Sequence, residues 1–165
     1  MIILGIDPGY ATMGYGVIEN LKNGNIIPVD YGVVVTPKDE SFPVRLAMLE
    51  EGLNKIYAKY KPEEIAVEEL FFTKNITTGI PVAHARGVIL VSAVKYCGKL
   101  YEYTPMQIKQ ALTGYGKADK VQMMHVVTSL LHLNKIPRPD DAADALAVAL
   151  CHAHTNRFGD MFGIK

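Results

Sequence analysis

The sequence predicts an α/β fold, in which a mixed five-stranded sheet is flanked by helices on both faces. Three observations favour this class. Five short apolar runs have the length of strands rather than of helices. The first three runs follow one another through short connections, which is typical of an antiparallel meander. The fourth follows a segment with helical periodicity, and a strand reached through a helix is expected to lie parallel to the first strand by a right-handed crossover.

The first strand ends at a carboxylate. Residues Ile2 to Ile6 form an apolar run without a polar side, so we expect a strand that is buried on both faces. Asp7 then lies where this strand emerges from the core. Pro8 and Gly9 end the strand, because proline lacks an amide hydrogen and glycine tolerates positive φ. A carboxylate at the mouth of a buried strand is a candidate for chemistry.

The next two runs complete the meander. The run from Tyr15 to Ile18 lies among glycines and predicts a hairpin with the first strand. Ile26–Thr36 is the third strand, and Pro37 stops it. A helix is expected from a cap at Ser41 to about Tyr60, since its apolar positions follow helical spacing and leave one face for the sheet.

The second half of the chain alternates strands, loops and helices. Ile65–Val67 is a short apolar strand that ends at Glu68. After it, the predicted elements are a polar loop at Thr73–Thr78, helices at Thr78–Tyr96, Pro105–Leu112, Lys117–Leu133 and 140–154, and a fifth strand at Leu100–Tyr103. We expect one domain over residues 1–156 and a mobile C-terminal tail over residues 157–165.

The composition indicates an ordinary globular protein. The chain carries 17 Lys and Arg and 17 Asp and Glu, so any claim of nucleic-acid binding depends on local patches rather than on net charge. No apolar run reaches membrane-spanning length, and Met1 leads into an apolar run without the basic start or cleavage site of a signal peptide. Cys97 and Cys151 have no metal-ligand spacing and are expected to be reduced thiols. We therefore expect a cytoplasmic protein without a membrane segment.

Four carboxylates are candidates for one site. Asp7 and Glu68 each follow a short apolar strand, and parallel strands present their carboxyl ends at one edge of a sheet. Asp141 and Asp144 lie three apart on one predicted helix and so share a face. Converging carboxylates repel one another unless cations neutralise them, and oxygen ligands select Mg²⁺ or Mn²⁺. Two such ions, roughly 4 Å apart, clamp the attacking and leaving oxygens of a phosphodiester displacement.

Each acid also has a purely structural interpretation. Asp7 would cap the turn that follows it, and Glu68 would be a solvated strand end. The helix pair would cap its own first turn. Two neighbouring acids serve as controls, because strand alternation turns Glu69 away from Glu68 and the helical period is expected to turn Asp140 away from Asp144.

Four stretches of the sequence closely resemble one family. They are GIDPG…GYGVI at Gly5–Ile18, AVEELFFTKN at Ala66–Asn75, ARG at Ala85–Gly87 and DAADALAVA at Asp141–Ala149. In these motifs and in their order, nearly the whole chain resembles the RuvC Holliday-junction resolvases. The resemblance implies a ribonuclease H-like fold and a Mg²⁺-dependent endonuclease that resolves four-way DNA junctions in recombination and repair. It also implies that Asp7, Glu68, Asp141 and Asp144 are the metal-binding catalytic set, with two ions per site.

The same resemblance implies partners. They are four-way junction DNA, a second copy of the chain, and the RuvA–RuvB branch-migration complex. The predicted helix Thr78–Tyr96 is apolar on nearly every side of its second half, and a helix of that kind needs cover on more than one face. Because the sheet covers only one face, we expect a homodimer built on this helix, whose two sites make paired, symmetric nicks.

Aromatic and basic residues are candidates for DNA contacts. The family's aromatic residue after the catalytic glutamate matches Phe71, with Phe72 beside it, and its basic contacts match Lys109 and Lys120. The full set of candidates is Phe71, Phe72, Lys74, Asn75, Arg86, Lys109, Lys117 and Lys120. Basic side chains track phosphates, and aromatic rings stack on bases. The alternatives are solvated charges for the basic residues and core packing for the phenylalanines.

Two other functions remain open on sequence grounds. An ATPase of the actin and Hsp70 type also opens with a glycine-rich hairpin and an aspartate, but it needs a second domain and a second phosphate loop that we do not expect in 165 residues. A non-catalytic relative would keep the fold and lose the acids, whereas all four acids are present. A cleavage assay on labelled junctions, with ATP hydrolysis measured alongside, separates the three hypotheses.

Overall fold

The computed structural model describes residues 1–70 and 76–155. The strands are β1 (Ile2–Asp7), β2 (Thr12–Asn20), β3 (Ile26–Val35), β4 (Glu64–Glu68) and β5 (Leu100–Tyr103). The helices are α1 (Phe42–Tyr60), α2 (Ile76–Tyr96), α3 (Pro105–Thr113), α4 (Lys120–Leu130) and α5 (Asp140–Thr155). In this part of the chain no helix is both long and apolar enough to cross a membrane. The expected C-terminal tail at residues 157–165 lies outside the described residues.

The five strands form one mixed sheet in the order β3-β2-β1-β4-β5. β1 and β2 pair antiparallel, as do β2 and β3, which is the expected meander. β4 is parallel to both β1 and β5. The predicted mixed five-stranded sheet is therefore confirmed. The carboxyl ends of β1 and β4 lie side by side, because Ile6 pairs with Val67.

Alternation along β1 sends its side chains into two separate cores. Leu4 and Ile6 pack with α1 and α2 on one face of the sheet. Ile3 packs with α3, α4 and α5 on the other face. Because the strand period is two, Gly5 and Asp7 also face α5. Helices thus cover both faces, as predicted, and the acid at the end of β1 lies on the face that carries α5.

α5 lies almost directly on the backbone of β1 and β2. A Cβ atom added at Gly5 would lie 2.2 Å from the carbonyl oxygen of Ala145, and one at Gly14 would lie 2.0 Å from the carbonyl oxygen of Asp141. These separations are too short for any side chain, so the close approach of the helix requires glycine. Because these glycines leave the strands without side chains there, the first turn of α5 can lie over the end of β1.

A buried network of hydrogen-bonded side chains holds the last turns of α5. His152 is fully buried, with Nε2 2.8 Å from a Glu64 carboxylate oxygen and Nδ1 2.7 Å from the Tyr103 hydroxyl. The Thr155 hydroxyl donates to the Tyr103 hydroxyl at 3.0 Å. Burial lowers the pKa of His152, although the neighbouring Glu64 opposes this effect. This hydrogen-bond network connects α5 to β4 and to β5.

α4 is shorter than the predicted helix over 117–133. It begins after Asp119, whose carboxylate accepts a hydrogen bond from the Gln122 N–H while the Gln122 side chain accepts one from the Asp119 N–H. It ends before His132, whose left-handed φ of 49° does not continue a helix. The Asp-x-x-Gln pattern is a capping box, a start signal that the sequence itself contains.

Three other elements differ from their predicted forms in smaller ways. Ser41 precedes α1 as expected, but its side chain makes no capping hydrogen bond. α2 begins at Ile76, two residues before the predicted start. The strand predicted over 15–18 is longer, because β2 pairs with β3 from Thr12 to Asn20 and with β1 from Gly14 to Glu19.

Candidate active site

Asp7 and Glu68 lie side by side at the carboxyl edge of the sheet. The parallel register pairs Ile6 with Val67, so the next residue of each strand is one of these acids. Burial, followed by the charges of Glu68 and of the acids on α5, raises the pKa of Asp7 to about 8. Burial and the neighbouring negative charges therefore favour retention of a proton by this pair of carboxyl groups.

α5 brings two more carboxylates to the same place. Asp141 and Asp144 lie on its first turns, and their charges act on Asp7. Burial raises the pKa of Asp144, although Lys120 opposes the shift. Burial and the charge of Asp144 raise the pKa of Glu68 to about 7, against the hydrogen bond from Asp7 and the nearby lysines. The four acids predicted to converge thus interact electrostatically in the structure.

The turn after Asp7 is held by a buried arginine. The Thr36 hydroxyl donates a hydrogen bond to the Tyr10 carbonyl at 2.8 Å. Arg45 donates from Nε to the Thr36 hydroxyl at 2.9 Å, and its guanidinium lies 3.9 Å from the centre of the Tyr10 ring. α1 and the end of β3 therefore fix the turn that follows the acid.

Two lysines lie opposite the acids. Lys109 of α3 and Lys120 of α4 line an open cleft of about 260 Å³ together with Glu68 and Asp144. The Lys120 ammonium lies 3.4 Å from Asp144 Oδ2. Burial alone would lower the pKa of Lys120, but Asp144 and Asp140 raise it. The cleft therefore sets cationic groups against an acidic edge, an arrangement that suits a phosphodiester bound with metal cations.

The donor set fits a hard cation. All four acids offer carboxylate oxygens, and a divalent cation would offset the desolvation and repulsion that raise the pKa values of Asp7, Glu68 and Asp144. Among residues 1–70 and 76–155, no three acidic, histidine or cysteine side chains are close enough to hold an ion as they stand. The four carboxylates thus interact through their charges, but as they stand they do not form a complete ligand set.

Comparison with known proteins identifies the family. The family model for crossover junction endodeoxyribonuclease RuvC matches residues 3–152. The chain belongs to the RuvC family. Crossover junction endodeoxyribonuclease RuvC of Alkaliphilus oremlandii is 50% identical over 100% of both chains. That of Clostridioides difficile is 52% identical over 95% of this chain and 92% of the relative.

Solved structures of RuvC proteins share the fold of this chain. RuvC of Thermus thermophilus matches with a TM-score of 0.89 at 36% identity, over 99% of this chain and 100% of the other. The T. thermophilus RuvC in complex with a Holliday junction substrate matches with a TM-score of 0.92 at 35% identity, over 99% of both chains. The ribonuclease H-like fold expected of a RuvC-family chain is therefore confirmed.

One neighbouring acid lies closer to the RuvC-family site than the sequence argument predicts. The expectation that the helical period turns Asp140 away from Asp144 is wrong, because residues four apart share a helix face. The Lys120 ammonium lies 3.3 Å from Asp140 and 3.4 Å from Asp144, and Arg138 also pairs with Asp140. Asp140 therefore helps to set the charge of the cleft.

Arg86 lies away from the cleft of this RuvC-family chain. It forms an ion pair with Glu102 of β5 and lines a separate hollow that also includes Glu69. Glu69 thus lies apart from Glu68, in agreement with the prediction from strand alternation. The structure therefore places Arg86 in a different hollow from Lys109 and Lys120.

The other candidate DNA contacts of the RuvC-family chain fall into three groups. Lys109 and Lys120 line the cleft. Lys117 is exposed on the loop between α3 and α4. The candidates that lie outside the described residues are Phe71, Phe72, Lys74 and Asn75.

The raised pKa values predict how the metal-free protein responds to pH. Asp7 keeps its proton up to about pH 8 in the folded protein, whereas its ordinary value is 3.8. The folded state therefore binds more protons in that window, and the free energy of unfolding falls as pH rises, by at most about 1.4 kcal/mol per pH unit for one proton. We expect Asp7→Asn to reduce this fall when thermal unfolding is measured with a chelator between pH 6.5 and 8.

Measurement above pH 6.5 excludes the contribution of His152, which would change stability with pH in the opposite direction. The lowered pKa of His152 costs stability only as pH falls below its ordinary value of 6.5. Asp39→Asn is the control, because Asp39 is exposed in the loop before α1. The same pH slope in the Asp7→Asn and unaltered proteins would contradict the raised pKa of Asp7.

Proposed function

We propose that the chain is a metal-dependent endodeoxyribonuclease that resolves four-way (Holliday) DNA junctions by paired, symmetric nicks, in recombination and repair in the cytoplasm. Membership of the RuvC family supports the activity, and the T. thermophilus RuvC complex with a Holliday junction substrate supports the substrate. The observation that carries the proposal is the meeting of four carboxylates from three elements at one edge of the sheet, opposite two lysines. The RuvA–RuvB branch-migration complex is a further partner that the family resemblance suggests.

The four acids have one shared role in this proposal. Asp7, Glu68, Asp141 and Asp144 would hold two Mg²⁺ ions, and Mn²⁺ would substitute. When bound, the ions supply Lewis-acid stabilisation of the attacking and leaving oxygens of a phosphodiester hydrolysis. Asp7 gives up its proton on binding, because a carboxyl group ligates as the carboxylate. The acids keep their positions because β1, β4 and α5 are packed elements of the core.

Lys109 and Lys120 would hold the DNA by its phosphates. We expect Lys109→Ala to weaken junction binding and to lower the slope of log K against log salt by about one, because one counterion-releasing contact is lost. Mobility shifts over a range of salt concentrations measure the slope. Lys22→Ala is the control, since Lys22 is exposed in the turn between β2 and β3. An unchanged slope in Lys109→Ala would remove that residue from the DNA surface.

The outer face of α2 supports a homodimer. Ala85 and Ile89 are buried on the side of α2 that faces the sheet, whereas Ile80, Val91 and Val94 are each more than half exposed. Exposed apolar residues on a helix that is also buried on its other side favour an interface. A four-way junction has approximate two-fold symmetry, so two copies about a two-fold axis would offer one site to each of two symmetric strands.

Light scattering should give twice the mass of one chain at micromolar concentration. Val91→Glu should shift the protein towards the monomer, because an unpaired charge would be buried at the interface. Val29→Glu is the control, since Val29 is exposed on the edge strand β3. A mixed dimer with one Asp7→Asn subunit should nick one strand per binding event. A persistent monomer that still makes paired cuts would defeat the dimer proposal.

Labelled four-way junctions and matched duplexes test the proposed function. We expect symmetric cuts in the junction with Mg²⁺ or Mn²⁺, and binding with little cutting with Ca²⁺, whose looser coordination positions the nucleophile poorly. Equal cleavage of the duplex would overturn the junction as the substrate. ATP hydrolysis in place of DNA cleavage would overturn the reaction class.

A further inference from the structure

Tyr115 lies on the loop between α3 and α4, the two helices that carry the cleft lysines. Lys109 is near the end of α3 and Lys120 is the first residue of α4, so both walls of the cleft continue into this loop. The Tyr115 side chain is 58% exposed. With the residues in 1–70 and 76–155, its ring and hydroxyl make no stacking contact, hydrogen bond or ion pair. A large ring is therefore presented to solvent on the loop that joins the two lysine-bearing helices of the cleft.

The loop backbone that carries Tyr115 is anchored to α3. The Thr113 hydroxyl accepts a hydrogen bond from the Tyr115 N–H at 3.0 Å and lies 2.8 Å from the Tyr115 carbonyl oxygen. The Ala118 N–H donates to the same carbonyl at 3.3 Å. The Gln110 side-chain amide donates to the Gly114 carbonyl at 3.1 Å. The loop backbone from which the ring projects is therefore held in place, although the ring itself is uncovered.

The charges around this ring favour a polyanionic partner. Lys117 is exposed two residues further along the loop, and Lys109 and Lys120 lead into the cleft. The acid of the loop, Asp119, uses its carboxylate to cap α4. Exposed aromatic rings beside cationic grooves stack on nucleobases of any sequence, because every base has a π-face. These observations together favour single-stranded or opened DNA over a protein as the partner of Tyr115.

We propose that Tyr115 is a DNA contact, whose ring stacks on a base of the strand that enters the cleft between Lys109 and Lys120. The inference rests on the proposed function, because the strand belongs to the junction. Stacking adds a sequence-tolerant contact to the phosphate contacts of the lysines and so fixes the strand along its length. An anchored loop suits this task, since little conformational freedom is lost when the base binds.

A single tryptophan tests the contact directly. The chain contains no tryptophan, so Tyr115→Trp in an Asp7→Asn background gives one emitter, on the loop. We expect four-way junction DNA to quench its emission over the same concentrations at which a mobility shift reports binding. Ile27→Trp is the matched control, because Ile27 is 44% exposed and lies level with the start of β1, at the other end of the sheet from Asp7. The emission of the control should not change.

Substitutions of the ring separate stacking from charge. Tyr115→Ala should weaken junction binding about tenfold. Tyr115→Phe keeps the ring and should bind as the unaltered protein does. Neither substitution should change the salt slope, since no cationic contact is lost.

The outcomes distinguish this inference from the proposed function. Unchanged emission from the Tyr115→Trp protein while the junction is bound would overturn the inference and leave the proposed function standing. Equal losses in Tyr115→Phe and Tyr115→Ala would also overturn it, because the ring would not be the contact. Quenching of the emission from the Tyr115→Trp protein when it self-associates without DNA would overturn the DNA contact and indicate a protein–protein contact instead. Failure of the unaltered protein to bind junctions would overturn the proposed function and this inference with it.

Discussion

Asp7→Asn should abolish junction cleavage and leave junction binding intact. Asp7 is buried, and the charges of the three other carboxylates act on it, so under the proposed mechanism the amide would remove one negatively charged ligand. We expect a rate at least ~10³-fold lower, comparable to the loss of one preorganised charge-stabilising group in other enzymes. Binding should survive because Lys109 and Lys120 keep their charges. Product formation with Mg²⁺ and mobility shifts with Ca²⁺ measure the two effects.

The matched control for this substitution is Asp39→Asn. It makes the same chemical change at an exposed position in the loop before α1, and it should cut at the unaltered rate. Cleavage retained by Asp7→Asn would take Asp7 out of the mechanism. Loss of binding in step with cleavage would mean that Asp7 supports the DNA surface rather than the reaction.

Gly14→Ala should lower the melting temperature markedly and remove cleavage activity. The added Cβ atom would lie 2.0 Å from the carbonyl oxygen of Asp141, so α5 would have to move away from β2. Overpacking of this kind costs about 3 kcal/mol. The movement also carries Asp141 and Asp144 away from Asp7, so cleavage should fall by more than the loss of folded protein explains. Thermal unfolding, together with cleavage rates corrected for the folded fraction, measures both effects.

Gly87→Ala makes the same chemical change at a site where no other element of the same copy approaches. Because Gly87 lies one helical turn before Val91 on the exposed face of α2, both glycine substitutions are compared in the Val91→Glu background. A Cβ atom at Gly87 would have no atom within 4 Å among the described residues, apart from its chain neighbours and the nearby backbone of α2 itself. Alanine is also favoured over glycine in a helix by about 1 kcal/mol. The melting temperature should therefore stay the same or rise. Equal melting temperatures for Gly14→Ala and Gly87→Ala would show that α5 does not rest on the strand backbone.

Local patterns were sufficient to predict the strand ends and their acids. The apolar runs that lead into Asp7 and Glu68 indicate buried strands, and the crossover rule makes those strands parallel. Together these arguments put both acids at one edge of the sheet, where the structure has them. The shared face of Asp141 and Asp144 follows from their spacing alone. The close approach of α5 to β1 could not be predicted from local spacing. It depends on glycines of two strands that face the same helix only in the folded protein.

Contacts between distant elements could not be predicted from the sequence. Arg86 pairs with Glu102, and Lys120 with Asp144, only because the fold brings α2 to β5 and α4 to α5. The misplacement of Asp140 had another cause, since its spacing of four from Asp144 already indicated a shared face. Tyr115 had no local signal in the sequence, because its proposed role depends on its exposure on a loop between the two helices of a cleft that forms only on folding.

The burial of α5 has a consequence for how the molecule opens. Nearly every residue of α5 after its first turn is buried, and the hydrogen-bond network around His152 connects its last turns to the sheet. Amide hydrogens along α5 and β1 are therefore expected to exchange with solvent only through global unfolding. In α3, by contrast, only Ile108 is buried, so this helix can open locally at a lower free energy. The acids of α5 and β1 are thus expected in the slowest-exchanging unit of the protein and Lys109 in a faster one. If Lys109 binds DNA as proposed, its contact would be able to break and re-form while these carboxylates keep their positions.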